Sequence, residues 1–165
     1  KKATQEAQSL IATDPNDPYF QELYGQILLE SGKPDQAMAP LRKAVAGSDN
    51  NPLIAALFGH ALVATEDRAN LAEAQEVLKS AVVRDNRNPF AWYQLGVVYE
   101  QQGDQARAAL ATAERDLMTG ESSLALRHSD QAMSGLPDYS PDWLRAQDIR
   151  LIAEAQLEDD KKRRR

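Results

Sequence analysis

Apolar and small residues recur along this chain three and four positions apart, with polar residues between them. Trp92, Leu95, Gly96 and Tyr99 stand at i, i+3, i+4 and i+7; Ala74, Leu78 and Ala81 keep the same spacing, as do Ala3, Ala7 and Leu10. That period puts each set on one face of an α-helix. The predicted helices are short and begin with a common signal. Pro18, Pro52 and Pro89 each open one, at the first turn, where a missing N–H has no helical partner to lose.

The glycines show how these helices are organised. All eight fall on three positions of a 34-residue frame whose copies start at Pro18, Pro52, Pro89 and Ala106. Gly25, Gly59 and Gly96 occupy position 8; Gly32, Gly103 and Gly120 position 15; Gly47 and Gly135 position 30. A fixed period of a few tens of residues is the mark of a repeat array. Position 20 is alanine in every copy: Ala3, Ala37, Ala74, Ala108 and Ala125. Small residues at positions 8 and 20 let two antiparallel helices approach nearly backbone to backbone, and large residues at positions 4, 7 and 11 fill the space between hairpins. Gly96 is expected at such a crossing. The glycines at positions 15 and 30, Gly47 among them, are expected to be left-handed helix stops.

The frame is irregular in three places. Glu66–Asn70 carries three extra residues between the helices of the second repeat. The fourth repeat starts seventeen residues after Pro89, so one helix around Gln105–Thr119 must serve two hairpins. Pro40 lies inside the second helix of the first repeat, where a kink or a delayed helix start is expected. Extended backwards, the frame makes residues 1–17 the second helix of a repeat whose first helix is missing, the expectation for a piece of a longer protein. Whole repeats occupy 18–51, 52–88 and 89–105 with an overlapping 106–139; a capping helix covers 140–157, and 158–165 is a charged tail.

The run Pro89–Tyr99, followed by Gly103 and Ala108, resembles the tetratricopeptide repeat, with its Trp, Leu, Gly and Tyr at positions 4, 7, 8 and 11. The resemblance implies an all-α, right-handed solenoid of about nine helices in which positions 2, 5, 9 and 12 line a concave groove. Here those positions are Tyr19, Glu22, Gln26 and Leu29; Leu53, Ala56, His60 and Val63; and Phe90, Tyr93, Val97 and Glu100. Aromatic side chains in such a groove suit capture of a peptide or a helix. The family's lysine and asparagine clamp for a partner's C-terminal carboxylate has no counterpart at Glu22, Leu23, Gln26, Ala56, Leu57, His60, Tyr93, Gln94 or Val97.

Charge narrows the partner class. The net charge is −6, but Lys1, Lys2 and Lys161–Arg165 hold seven of the nineteen basic residues. The body between them carries twelve basic against twenty-five acidic residues, a net of −13. A surface that acidic does not neutralise phosphate, which argues against a nucleic-acid partner. The basic tail reads as a solvated terminus. Absence of cysteine excludes disulfides and thiolate metal sites. With two histidines, His60 and His128, and no HExxH or phosphate-binding glycine motif, no catalytic residue, metal or cofactor is expected within these residues. No apolar run approaches the length of a membrane span.

Three stretches carry a narrower resemblance: Pro18–Gln26, Ala109–Glu114 and Asp142–Ile149. Together with the shared helix they resemble the C-terminal repeat region of bacterial periplasmic zinc metalloproteases of the BepA type, which act in outer-membrane protein assembly and quality control. The resemblance implies a periplasmic recognition arm for unfolded outer-membrane proteins or their assembly machinery, with the protease domain upstream of Lys1. The alternative is a free-standing adaptor for pilus or secretion assembly, periplasmic or cytoplasmic.

Overall fold

The computed structural model describes residues 2–163; Lys1 and the last two arginines of the basic tail lie outside the described residues. Nine α-helices follow one another: α1 (Lys2–Thr13), α2 (Pro18–Glu30), α3 (Pro34–Gly47), α4 (Pro52–Ala64), α5 (Leu71–Arg84), α6 (Pro89–Gln102), α7 (Gln105–Met118), α8 (Ser122–Gly135) and α9 (Pro141–Arg163). There is no strand among the described residues. The helices divide into two compact units, residues 1–86 and 87–165.

One local device starts three of the first helices. Asp17 accepts hydrogen bonds from the backbone N–H groups of Tyr19 and Phe20, at 2.8 and 3.4 Å. Asn51 accepts from Leu53 N–H at 3.0 Å, and Asn88 from Phe90 and Ala91 N–H at 3.0 and 3.2 Å. Each cap is followed by a proline at the first helical position, so the orphan donors of the first turn are satisfied and its φ is preset. At the other end, Gly103 terminates α6 at φ 82°, a left-handed value that a Cβ would oppose.

In the first unit α2 packs on α3, α4 on α5, and α3 on α4, with α1 laid against α2. Leu41, Ile54, Phe58, Leu62 and Leu78 are its largest fully buried side chains. The three inserted residues of the second repeat are taken up by a 3-10 turn at Arg68–Asn70, after Glu66 has turned left-handed at φ 57°. In the second unit α7 packs on both α6 and α8, so a single helix closes two hairpins, and α9 covers α8 and part of α7. Its core is unusually rich in alanine: Ala109, Ala113, Ala125, Ala132, Ala146 and Ala153 surround Leu110, Leu136 and Ile149.

Several expectations need correction. Gly47 and Gly135 are not left-handed stops; neither has a positive φ. A Cβ on Gly47 would stand 3.2 Å from Pro18 Cβ, and one on Gly135 would stand 2.9 Å from Ala106 Cβ. Position 30 is small because it touches position 1 of its own repeat. Pro40 does not delay its helix: α3 runs unbroken from Pro34, and the buried ring of Pro40 belongs to the core. The last helix continues through Arg163, instead of ending near residue 157, so the described part of the tail is helical.

Candidate groove sites

Positions 9 and 12 of the first repeat come together with position 9 of the second. Gln26, Leu29 and Glu30 on α2 face Leu57, His60 and Ala64 on α4 across a pocket of about 550 Å³, closed at one end by Gly32 and Pro34. The lining is mixed: aliphatic side chains from Leu29, Leu57 and Ala64, and polar groups from Gln26, Glu30 and His60. Gln26 Nε2 donates to Glu30 Oε1 at 2.9 Å, which fixes both side chains one turn apart on the pocket wall. Tyr19 and Leu53 stand seven residues before Gln26 and His60, two turns away on the same helix faces. They are 61% and 62% exposed. Between Tyr19 and Gln26, burial pushes the carboxyl of half-buried Glu22 above its ordinary value.

A second, smaller pocket of about 100 Å³ lies between α6 and α7 in the second unit. It brings together Tyr93, Val97 and Glu100, at positions 5, 9 and 12, with Gly96, Ala108, Thr112 and Arg115. The Arg115 guanidinium stacks over the Tyr93 ring, 5.2 Å from its centroid. The Thr112 hydroxyl donates to the Ala108 carbonyl at 2.8 Å, a bond within its own helix.

The remaining groove positions are distributed differently. Phe90, at 42% exposure, and Glu100 are open to solvent, while Val63 and Val97 are half-buried. Ala56 does not face a groove at all; it is 1% exposed and belongs to the core. Sequence reasoning also missed contributors to both pockets. Leu57 and Ala64 line the first from positions 6 and 13, one place beyond the groove positions 5 and 12. Arg115 and Thr112 enter the second from the partner helix of the hairpin, which the groove positions of first helices do not include.

Charge on a helix ordinarily marks a solvated face, but the run Glu114-Arg115-Asp116 of α7 does not. Both carboxylates are buried. Glu114 accepts two hydrogen bonds from Arg145 of α9, at 2.5 and 2.8 Å, and Asp116 Oδ2 lies 2.6 Å from His128 Nδ1 of α8. Successive residues on a helix point about 100° apart, so the three side chains reach α9, α6 and α8 in turn. The Glu114–Arg145 ion pair and the Asp116–His128 hydrogen bond are structural, and a packed helix interface surrounds them. Among the described residues no three metal-ligating side chains converge, and no helix is long and apolar enough to cross a membrane.

Comparison with known proteins agrees with this geometry. The family model for the tetratricopeptide repeat matches residues 2–52 and 60–117. No protein of curated function matches the chain. Among solved structures, two crystal structures of MamA superpose with TM-scores of 0.67 and 0.68, each at 18% identity. They cover 96% and 94% of this chain and 89% and 78% of their own. A thermophilic tetratricopeptide protein of Thermus thermophilus superposes with a TM-score of 0.53 at 21% identity, over 93% of this chain and 88% of its own. At such identities the likeness is one of fold. Tetratricopeptide domains are non-catalytic modules that bind protein partners. With the repeat model spanning well over half of its residues and nine α-helices among the described residues, this chain belongs to the tetratricopeptide repeat family.

Proposed function

We propose that the chain holds extended or helical peptide segments of a protein partner, in the first unit against the groove-facing sides of α2 and α4 and in the second against that of α6, and carries out no chemistry of its own. The observation that carries this reading is the pocket between α2 and α4. It is of ligand size, lined by Leu29 and Leu57 for apolar contact and by Gln26, Glu30 and His60 for orientation. Exposed Tyr19 and Leu53 extend its apolar surface by two turns. Glu22 and Glu30 give this site an acidic character that suits a segment with a basic side chain.

Within that function the partner is an unfolded outer-membrane protein or a component of its assembly machinery, and the chain is the recognition arm of a periplasmic zinc metalloprotease. The support is the sequence of Pro18–Gln26, Ala109–Glu114 and Asp142–Ile149. An HExxH motif upstream of Lys1 in the full-length gene is the expected finding; without one, the adaptor for pilus or secretion assembly takes its place.

The binding test is titration of the chain with unfolded outer-membrane protein segments. Replacing Gln26 and His60 together by alanine, or Phe90 and Tyr93 together, should each weaken binding about tenfold or more while leaving helicity unchanged. Affinity that is the same in wild type and both double variants would remove the groove from the account.

A further inference from the structure

Four arginines of this protein share one use: the guanidinium is matched to carboxylates. Arg42 bonds Glu73, Arg107 bonds Asp104 and Asp142, Arg145 bonds Glu114, and Arg150 bonds Asp130 and Glu154. The first of these is the instructive one. Arg42 lies over the ring of Phe58, 5.3 Å from its centroid, and its fork meets Glu73 side-on through Nε and Nη2 at 2.9 and 2.8 Å. The cation lies over the ring face while two of its N–H donors meet two carboxylate oxygens.

Arg115 is built in the same way up to its last step. It is half-buried, and its guanidinium carbon lies over the Tyr93 ring, 5.2 Å from the centroid. Among the described residues no carboxylate lies within ion-pair distance of it, although the body of the chain is strongly acidic. Its sequence neighbours Glu114 and Asp116 are turned away to Arg145 and His128. Glu100 lines the same pocket without pairing with it. The Thr112 hydroxyl is committed to Ala108. The side-chain donors facing the pocket are therefore the Arg115 fork and the Tyr93 hydroxyl. The pocket's volume of about 100 Å³ is well above the roughly 10–15 Å³ that one water needs, and it admits a carboxylate.

We infer that the α6–α7 pocket binds an acidic side chain of the partner peptide, its carboxylate received edge-on by Arg115 and its stem lying against Tyr93 and Val97. This rests on the peptide-binding reading above and specifies its chemistry in the second unit. Glu100 sets the polarity. It lies seven residues beyond Tyr93 on the same face, about 10 Å along the helix axis, so it disfavours a second acid there and favours a neutral or basic residue. The partner segment thus carries an isolated acidic residue, not an acidic run.

The experiment uses the whole chain as wild type, Arg115→Gln and Arg115→Lys, each checked for native helicity, in selections from a random displayed heptapeptide library. Wild type should enrich peptides with a single Asp or Glu. Arg115→Gln should lose that enrichment, and Arg115→Lys should keep it with weaker binding, because an ammonium replaces the charge but not the fork. A selected peptide and its Glu→Gln counterpart, titrated against 15N-labelled protein, should differ about tenfold in affinity on wild type and be level on Arg115→Gln. The shifted amides should include Tyr93, Val97 and Thr112. Selection of basic or uncharged peptides, an acidic preference that survives Arg115→Gln, or acidic peptides that shift α2 and α4 instead would each overturn the assignment and leave the peptide-binding reading standing. Failure of the wild-type chain to select any peptide would overturn both.

Discussion

The glycines at position 8 look equivalent in the sequence and are not equivalent in space. A Cβ on Gly25 would come within 2.4 Å of Leu41 Cγ, and one on Gly59 within 2.4 Å of Leu78 Cγ. Both leucines are fully buried and have no space to yield. Gly96 faces Ala111 and Thr112 instead, where a Cβ would make ordinary contacts at 3.6 and 3.7 Å. The cause is position 24, occupied by Leu41, Leu78 and Thr112 in successive repeats. Gly25→Ala and Gly59→Ala are therefore expected to cost about 1–3 kcal/mol by overpacking. Gly96→Ala should be neutral or gain up to about 1 kcal/mol from helix propensity. Urea midpoints measure this directly, and a Gly96→Ala midpoint as low as that of Gly59→Ala would show that the α6–α7 crossing is as tight as the others. The frame marked Gly25 and Gly59 correctly as sites of close approach, because spacing identifies a helix face, but the same expectation for Gly96 needs correction. The frame did not rank the three glycines, because the rank depends on a residue sixteen or more positions away. Gly47 and Gly135 were misread for a related reason: a glycine at a helix end has two explanations, positive φ or a neighbour pressed against it, and only the second applies here.

At the scale of elements, α7 has the most demands placed on it. It offers Ala109, Leu110 and Ala113 to the core, stacks Arg115 on Tyr93 of α6, and buries two carboxylates whose partners come from α8 and α9. The seventeen-residue offset of the fourth repeat made its double service legible. The burial of Glu114 and Asp116 was not, since a charged triplet carries no mark of the partners that tertiary structure brings to it. The Glu114–Arg145 pair can be tested as a clamp between α7 and α9. Arg145→Met leaves a carboxylate buried without its cation and should cost about 2 kcal/mol or more. Adding Glu114→Leu removes the stranded charge, and the double variant should recover most of the loss. A double-mutant cycle in urea provides the measurement; additive losses would mean that the two side chains contribute through packing and not through their pairing.

Across the whole molecule, burial is distributed unevenly enough to predict where it opens first. In the first unit α4 buries seven residues, from Ile54 to Leu62, whereas α1 buries Ala7 alone. In the second unit α6 buries six, while α9 buries nothing beyond Ala153 even though it continues to Arg163. In a repeat array each helix draws its stability from its immediate neighbours, and opening free energies fall where buried apolar contacts are few. Native-state hydrogen exchange should therefore be slowest at the amides of α4 within the first unit and of α6 and α7, which buries six as well, within the second. It should be fastest in α1 and in Glu154–Arg163, whose exposed helix depends on local ion pairs such as Lys162 with Asp159 at 4.0 Å. Surface pairs of that kind contribute at most about 1 kcal/mol, so amides after Ala153 should exchange through local fraying at a rate that barely responds to Gly59→Ala or Arg145→Met. Protection of those last turns equal to that of α6 would contradict the prediction, and a concentration dependence of that protection would identify Leu151 and Ile152, both exposed in the single chain, as covered by a second copy.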